Sequence, residues 1–73
     1  MDYRLLGNIE SLGPAKFLVI ASAIPNDPTG KAEVLMEDAT TYQEAEGMLT
    51  HVMAQLENHL SESGDAVVDL MRP

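Results

Sequence analysis

The apolar positions between residues 40 and 64 repeat with the period of an α-helix. At about 100° per residue they fall on one arc. This arc comprises Tyr42, Ala45, Met48, Leu49, Val52, Met53, Leu56 and Leu60. Thr40 or Thr41 is the predicted N-cap, and Glu44 stands three residues after Thr41, as in a capping box. Gly64 suits the left-handed residue that ends many helices. The sequence therefore predicts one long helix that packs by a single face.

Three further segments have the composition of β-strands. Residues 15–24 are apolar on both alternating faces, which is typical of a central strand covered on two sides. Residues 31–38 alternate, with Ala32, Val34 and Met36 opposite Glu33, Leu35 and Glu37. The turn-forming residues 25–30 join these two segments into a predicted antiparallel hairpin. Residues 66–71 predict a short last strand.

The segment 3–10 is compatible with a strand or with a short helix. We favour the strand, because isolated helices of this length are marginal and Gly7 would weaken one further. The predicted fold class is therefore α+β, with β-β-β-α-β order in one small domain, residues 1–73. It has two layers: a four-stranded, mostly antiparallel sheet and one long helix on one face. The last strand is expected to lie parallel to the first, through a right-handed crossover.

One helix covers only one face of such a sheet, so the other face is expected to remain apolar and to need a partner. A chain of 73 residues has a modest core, and it has no cysteine for disulfides, so association is the expected supplement. We favour a homodimer. The residues of the predicted self-interface are Leu18, Ile20, Ile24, Leu35, Val67 and Met71. A different protein, or the N-terminal segment folded over this face, would also cover it.

The composition is strongly acidic. Twelve carboxylates against four Lys and Arg residues give a formal net charge of −8. This charge argues against direct binding to nucleic acid or to an anionic membrane surface, and it attracts basic proteins. The predicted partner-binding acidic face comprises Glu33, Glu37, Asp38, Glu44, Glu57 and Glu62. Solubility alone would also account for the acidity.

No arrangement of residues points to catalysis, a metal or a cofactor. His51 and His59 are the two histidines, and they offer at most part of a coordination sphere on one helix. Gly30-Lys31 lacks the glycine-rich frame of a phosphate loop. We therefore predict no catalytic, cofactor-binding or metal-binding residues. If a site formed at an oligomer interface, Tyr42, His59 and Asp69 would be the first residues to test.

The start of the helix carries one resemblance to a known family. Thr41-Tyr42-Gln43-Glu44-Ala45 opens the helix directly after the third strand, and with the β-β-β-α-β order it resembles the HicB-type antitoxin domain. That family has a partial RNase H-like fold, so the resemblance implies a protein that binds and neutralises a toxin without catalysis. The chain departs from the family pattern after the second strand, where Ile24-Pro25-Asn26-Asp27 replaces a Pro-Gly loop.

The expected function is that of a small acidic non-enzymatic protein-interaction module, homodimeric and with a basic protein partner. It could serve as an antitoxin-like module, or as a phage or mobile-element inhibitor that presents carboxylates in place of phosphates. A small enzyme or ligand-binding subunit with a site between subunits is the alternative, and a structural protein is a third. The absence of cysteine and of a signal-peptide pattern predicts a cytoplasmic location.

Overall fold

The computed structural model describes the backbone of residues 1–71 and the side chains of residues 1–68. The elements in chain order are β1 (Asp2–Gly13), β2 (Lys16–Pro25), β3 (Glu33–Ala39), α1 (Tyr42–Glu62) and β4 (Ala66–Met71). Within residues 1–71 the strands form a four-stranded sheet in the order β3-β2-β1-β4. β4 runs parallel to β1, and the other neighbouring strands are antiparallel. The predicted α+β class, the element order and the parallel last strand are confirmed.

The N-terminal segment is a long strand in the interior of the sheet. β1 pairs with β2 on one side and with β4 on the other, so the helical alternative for this segment is wrong. The strand also continues past residue 10, because Ser11 pairs with Phe17 and Gly13 pairs with Lys16 across a register shift. Since β1 is part of the sheet, the N-terminal segment does not fold over the sheet's second face.

Both ends of α1 are capped by local hydrogen bonds. The Glu44 amide donates to Thr41 Oγ1 at 3.1 Å, and the Thr40 amide donates to Glu44 Oε1 at 3.2 Å. At the other end Gly64 has a φ of 82°, and the Asp65 amide donates to the Leu60 carbonyl at 2.9 Å. This arrangement is a Schellman motif. The left-handed conformation of Gly64 allows backbone amides beyond the helix to donate hydrogen bonds to carbonyls of its last turn. The predicted N-cap and C-terminal glycine are both confirmed.

The core lies between α1 and one face of the sheet. Its buried side chains are Tyr3, Leu5, Val19, Ala21, Ala23 and Ala39 from the strands and Ala45, Leu49, Val52, Met53, Leu56 and Leu60 from α1. Of the predicted apolar arc, Met48 is half-buried and Tyr42 is exposed. The Tyr42 ring nevertheless meets the Phe17 ring edge to face, with centroids 6.0 Å apart.

Gly7 allows the helix to approach the centre of the sheet. A Cβ atom at this position would lie 2.5 Å from Met53 Sδ and 3.0 Å from Leu49 Cδ1. The neighbouring strand places Ala21 directly beside Gly7. Small residues at these two positions therefore let the large side chains of α1 fill the space between the layers.

We expect Gly7→Val to destabilise the fold by about 1–3 kcal/mol, because the added methyl groups overpack the contact with Met53 and Leu49. Chemical denaturation measures this change. Gly13→Val is the matched control in the same strand, since nothing lies within 4 Å of a Cβ at Gly13. Equal stability of the two variants would contradict the close contact at Gly7.

We expect Gly47→Ala to stabilise the protein by about 0.5–1 kcal/mol, because glycine in a helix interior is less favourable than alanine. Gly47 is exposed in α1, and an added Cβ would meet nothing within 4 Å. The urea midpoint should rise with an unchanged slope. A lower midpoint would show that this position needs glycine.

The loop between β2 and β3 is held by Asp27. Its Oδ1 accepts hydrogen bonds from the Thr29 amide at 2.9 Å and from the Thr29 hydroxyl at 2.8 Å. Its carbonyl accepts from the Gly30 amide at 3.0 Å. The Thr29 amide first, and then the Thr29 hydroxyl, lower the pKa of Asp27 because they stabilise the carboxylate.

A lowered pKa in the folded state means that ionised Asp27 stabilises the fold above the unfolded value of about 3.9. That contribution is lost as the pH falls through the folded pKa. We therefore expect Asp27→Asn, which keeps an oxygen acceptor, to be less stable than wild type at pH 6, and we expect a smaller difference at pH 2. Denaturation at both pH values tests this, and a difference that does not change with pH would contradict it.

Candidate functional site

The two faces of the sheet are covered differently. The strand register places Leu5, Gly7 and Val19 on the face under α1. Because side chains alternate along a strand, their neighbours lie on the opposite face. We call this second surface the open face. Its apolar residues in β1 to β3 are Leu6, Leu18, Ile20, Ile24, Val34 and Met36.

The open face leaves large apolar side chains in solvent. Met36 is 59% exposed, Val34 is 48% exposed and Ile24 is 40% exposed. Leu6, Leu18 and Ile20 are half-buried by their neighbours within the sheet. A contiguous apolar surface of this kind marks an interaction site in many soluble proteins.

The predicted self-interface agrees only in part with this surface. Leu18, Ile20 and Ile24 lie on the open face, as predicted. Leu35 and Val67 lie on the helix side instead, because Leu35 pairs with the buried Ala21 and Val67 pairs with the buried Tyr3. Their placement in the prediction was therefore wrong. The strand register, which sequence patterns left undetermined, decides the face.

For Met71, the last predicted member of the self-interface, the backbone pairs with Leu6. Its side chain lies outside the described residues. Asp69 likewise pairs with Arg4 through the backbone, and its side chain also lies outside the described part.

Val34 and Met36 lie on the open face, whereas the predicted placement of Leu35 in the self-interface implied the opposite side for them. On β3, the helix side carries Glu33, Leu35, Glu37 and the buried Ala39, and the open face carries Val34, Met36 and Asp38. The alternation in residues 31–38 was visible in the sequence. Only the position of the helix shows which set is inside.

A groove runs between α1 and β3 on the helix side. Its first segment has a volume of about 480 Å³ and is lined by the first half of α1, including Met48 and Val52, with Glu37 from β3. Its second segment, about 340 Å³, is lined by Leu35, Leu56 and neighbouring residues. The floor is apolar because side chains such as Val52, Leu35 and Leu56 line it, and Leu35 is 38% exposed there.

Charged and polar side chains border this groove. Glu37 and Glu44 line the first segment, and Glu33 lines the second. His59 Nε2 lies 3.2 Å from Glu33 Oε1, which links the last turns of α1 to the start of β3.

Burial raises the pKa of Tyr3, and the carboxylates of Asp65 and Glu33 raise it further, so this phenol stays neutral at pH 7.

The six residues of the predicted acidic face do not share one face. Glu33, Glu37 and Glu44 line the groove, whereas Asp38 lies on the other side of β3 from Glu37. Glu57 lines a separate depression beside β4, and Glu62 lies in the last turn of α1. The side chains of Glu37 and Asp38 point to opposite sides because adjacent residues of a strand alternate in direction. Glu44 and Glu57 point in different directions because they are separated by about 140° around the axis of α1. The acidic surface is therefore divided.

The residues considered for an interface enzyme are not gathered into one site. Tyr42 and His59 lie about 26 Å apart along the axis of α1. Among the described residues, no group of three or more His, Cys, Asp or Glu side chains could hold a metal ion. In the same part of the chain, no helix has the length and hydrophobicity needed to cross a membrane.

Comparisons with known protein families, with curated proteins and with solved structures give no match for this chain. The resemblance to HicB-type antitoxin domains therefore rests on the opening of α1 and on the element order. The open face and the groove are the two features from which the function can be inferred.

Proposed function

We propose that this chain is a non-enzymatic protein-interaction module that forms a homodimer through the open face and binds a basic protein partner. The observation that supports it is the exposure of the apolar side chains of β3 on the open face. Val34 and Met36 point away from α1, and the carboxylates of Glu33 and Glu37 lie on the helix side. Val34 and Met36 are removed from water only if the open face is covered by something else.

The gain from covering the open face is hydrophobic. Each Å² of apolar surface removed from water contributes about 25 cal/mol, and Met36, Val34 and Ile24 are each at least 40% exposed. A flat sheet face packs well against a second sheet at about 10 Å separation. The open face of another copy has this shape and this chemistry.

The charges at the ends of the open face favour one arrangement of two copies. By register, Arg4 lies at one end, and Glu10 and Asp38 lie at the other. One possible two-fold axis lies between the two sheets, parallel to their planes and perpendicular to the strands. This axis places Arg4 of one copy over Glu10 of the other. A two-fold axis parallel to the strands would instead keep Glu10 and Asp38 of both copies at the same end of the interface, so that like charges would lie near one another. Charge complementarity therefore favours the arrangement in which the facing strands run in opposite directions.

The size of the face sets the expected strength of the dimer. Four strands about 4.8 Å apart, with about seven residues each at 3.3 Å, give a projected area of about 440 Å² per copy. Two copies contribute about 900 Å² in projection, close to the lower limit for a specific interface of about 1,000 Å². We therefore expect a dimer of moderate affinity that dissociates on dilution.

A basic partner is supported by the net charge of −8 and by the carboxylates around the groove. An antitoxin-like module, or an inhibitor that occupies the nucleic-acid site of a basic protein, would use such a surface. We assign this function to the cytoplasm, where a protein without cysteine needs no oxidising environment.

Light scattering behind size exclusion, over a range of protein concentrations, tests the homodimer. We expect a mass of twice 7.9 kDa at high concentration, and we expect it to persist in about 0.5 M salt, since a hydrophobic interface is little screened. Met36→Glu should give monomers, because it places a charge within the apolar interface. Leu35→Glu is the matched control: it adds the same charge to the next residue on the other side of β3, and it should still dimerise.

Circular dichroism of both variants checks that they are folded. A wild-type monomer at every concentration would overturn the self-interface. An unchanged dimer in folded Met36→Glu would do the same. Dissociation of the Leu35→Glu control would place the self-interface on the helix side.

A further inference from the structure

We propose that the groove between α1 and β3 binds an extended basic segment of a partner protein, which adds to the sheet as a strand beside β3. This rests on the proposed function, since it names the place where the basic partner is held. Three features meet there: an apolar floor, carboxylates along the walls and the edge of the sheet.

The sheet edge provides the backbone for such a strand. β3 is the outermost strand on its side of the order β3-β2-β1-β4, so its outer amides and carbonyls can pair with an incoming peptide. The groove wall from Gln43 to His59 is about 24 Å long, and the seven residues of β3 span about 23 Å. Both walls therefore match an extended segment of about seven residues.

The side chains of β3 define the chemistry of the segment. On the helix side, an added strand would meet Glu33, Leu35 and Glu37 as its cross-strand neighbours. Opposite charges and apolar pairs are the favourable combinations at such positions. The segment should therefore carry Lys or Arg opposite Glu33 and Glu37, with an apolar residue opposite Leu35. Residues between them face the other side, next to Val34 and Met36.

A second copy of β3 fits this edge poorly. β3 carries Glu33, Glu37 and Asp38 within seven residues, and like charges along an edge oppose pairing between copies. A neutral or acidic peptide would bring no positive charge to these carboxylates, of which Glu33 already contacts His59 Nε2. A basic segment neutralises them, and the Leu35 side chain, which is 38% exposed, provides a hydrophobic contact at the centre.

The probe is the heptapeptide Thr-Lys-Val-Leu-Val-Lys-Thr, acetylated and amidated, whose symmetric order gives the same pattern in parallel or antiparallel pairing. Titration into ¹⁵N-labelled protein should shift the amide signals of β3 and of the groove-lining residues of α1. The affinity should fall with added salt, because the paired charges are near the surface.

The control peptide is Thr-Val-Lys-Leu-Lys-Val-Thr, which has the same composition and charge. Moving each lysine by one residue sends it to the other side of an added strand, where Val34 and Met36 replace the glutamates. We expect it to bind about threefold to tenfold more weakly, the range for two surface charge pairs. Equal binding of the two peptides would overturn the proposal in favour of unspecific attraction to an acidic protein.

Two double variants with the same loss of charge locate the contact. Glu33→Gln with Glu37→Gln removes carboxylates from the groove and should weaken the first peptide by about threefold to tenfold. Glu46→Gln with Glu57→Gln removes two carboxylates from exposed positions of α1 that do not line the groove, and should change the affinity less than twofold. Equal effects, or no binding by the wild type, would overturn the groove as the site.

The mass of each sample is measured in parallel. It distinguishes a failure of the groove proposal from a failure of the homodimer proposal. Specific peptide binding by a monomeric protein would support the groove while contradicting the self-interface. A dimer without specific peptide binding would contradict only the groove. Signal shifts confined to the open face would overturn the assignment of the partner site.

Discussion

The contact between α1 and the centre of the sheet at Gly7 determines where the remaining surfaces lie. A Cβ atom at Gly7 would come within 2.5 Å of Met53 Sδ, so the layers can be this close only with glycine there. The apolar arc of α1 packs over the sheet, and β3 is the edge strand on one side of it. With one helix packed on this side, a groove remains beside α1 and the other face of the sheet is uncovered.

The sequence of β3 is adapted to this position at the margin. In a monomer with one covered face, the apolar residues of an edge strand would be expected under the helix. Here Val34 and Met36 are exposed on the open face, while Glu33 and Glu37 border the groove. The strand thus separates two kinds of interaction, a hydrophobic one on one side of the sheet and an electrostatic one on the other.

Sequence patterns predicted the elements better than the surfaces. The capping box at Thr41, the glycine at Gly64 and the period of 3.6 residues are local signals, and each defines part of α1 without knowledge of the rest. Which side of β3 faces the helix depends on pairing with β2, a tertiary property. For this reason Leu35 was placed in the predicted self-interface, whereas the register puts Met36, and not Leu35, on the open face. The division of the acidic residues between separate surfaces was hidden for the same reason.

The two proposed surfaces meet at β3 and are therefore physically connected. With the two-fold axis perpendicular to the strands, β3 of one copy lies over β3 of the other, so segments added at both edges would also face each other. Each added strand would widen the sheet and could extend the hydrophobic contact beside Val34 and Met36. Binding of a partner segment and self-association would then favour each other, and by linkage the effect must be equal in both directions. An acidic chain that alone forms a dimer of moderate affinity would in this way assemble more tightly when its basic partner is present.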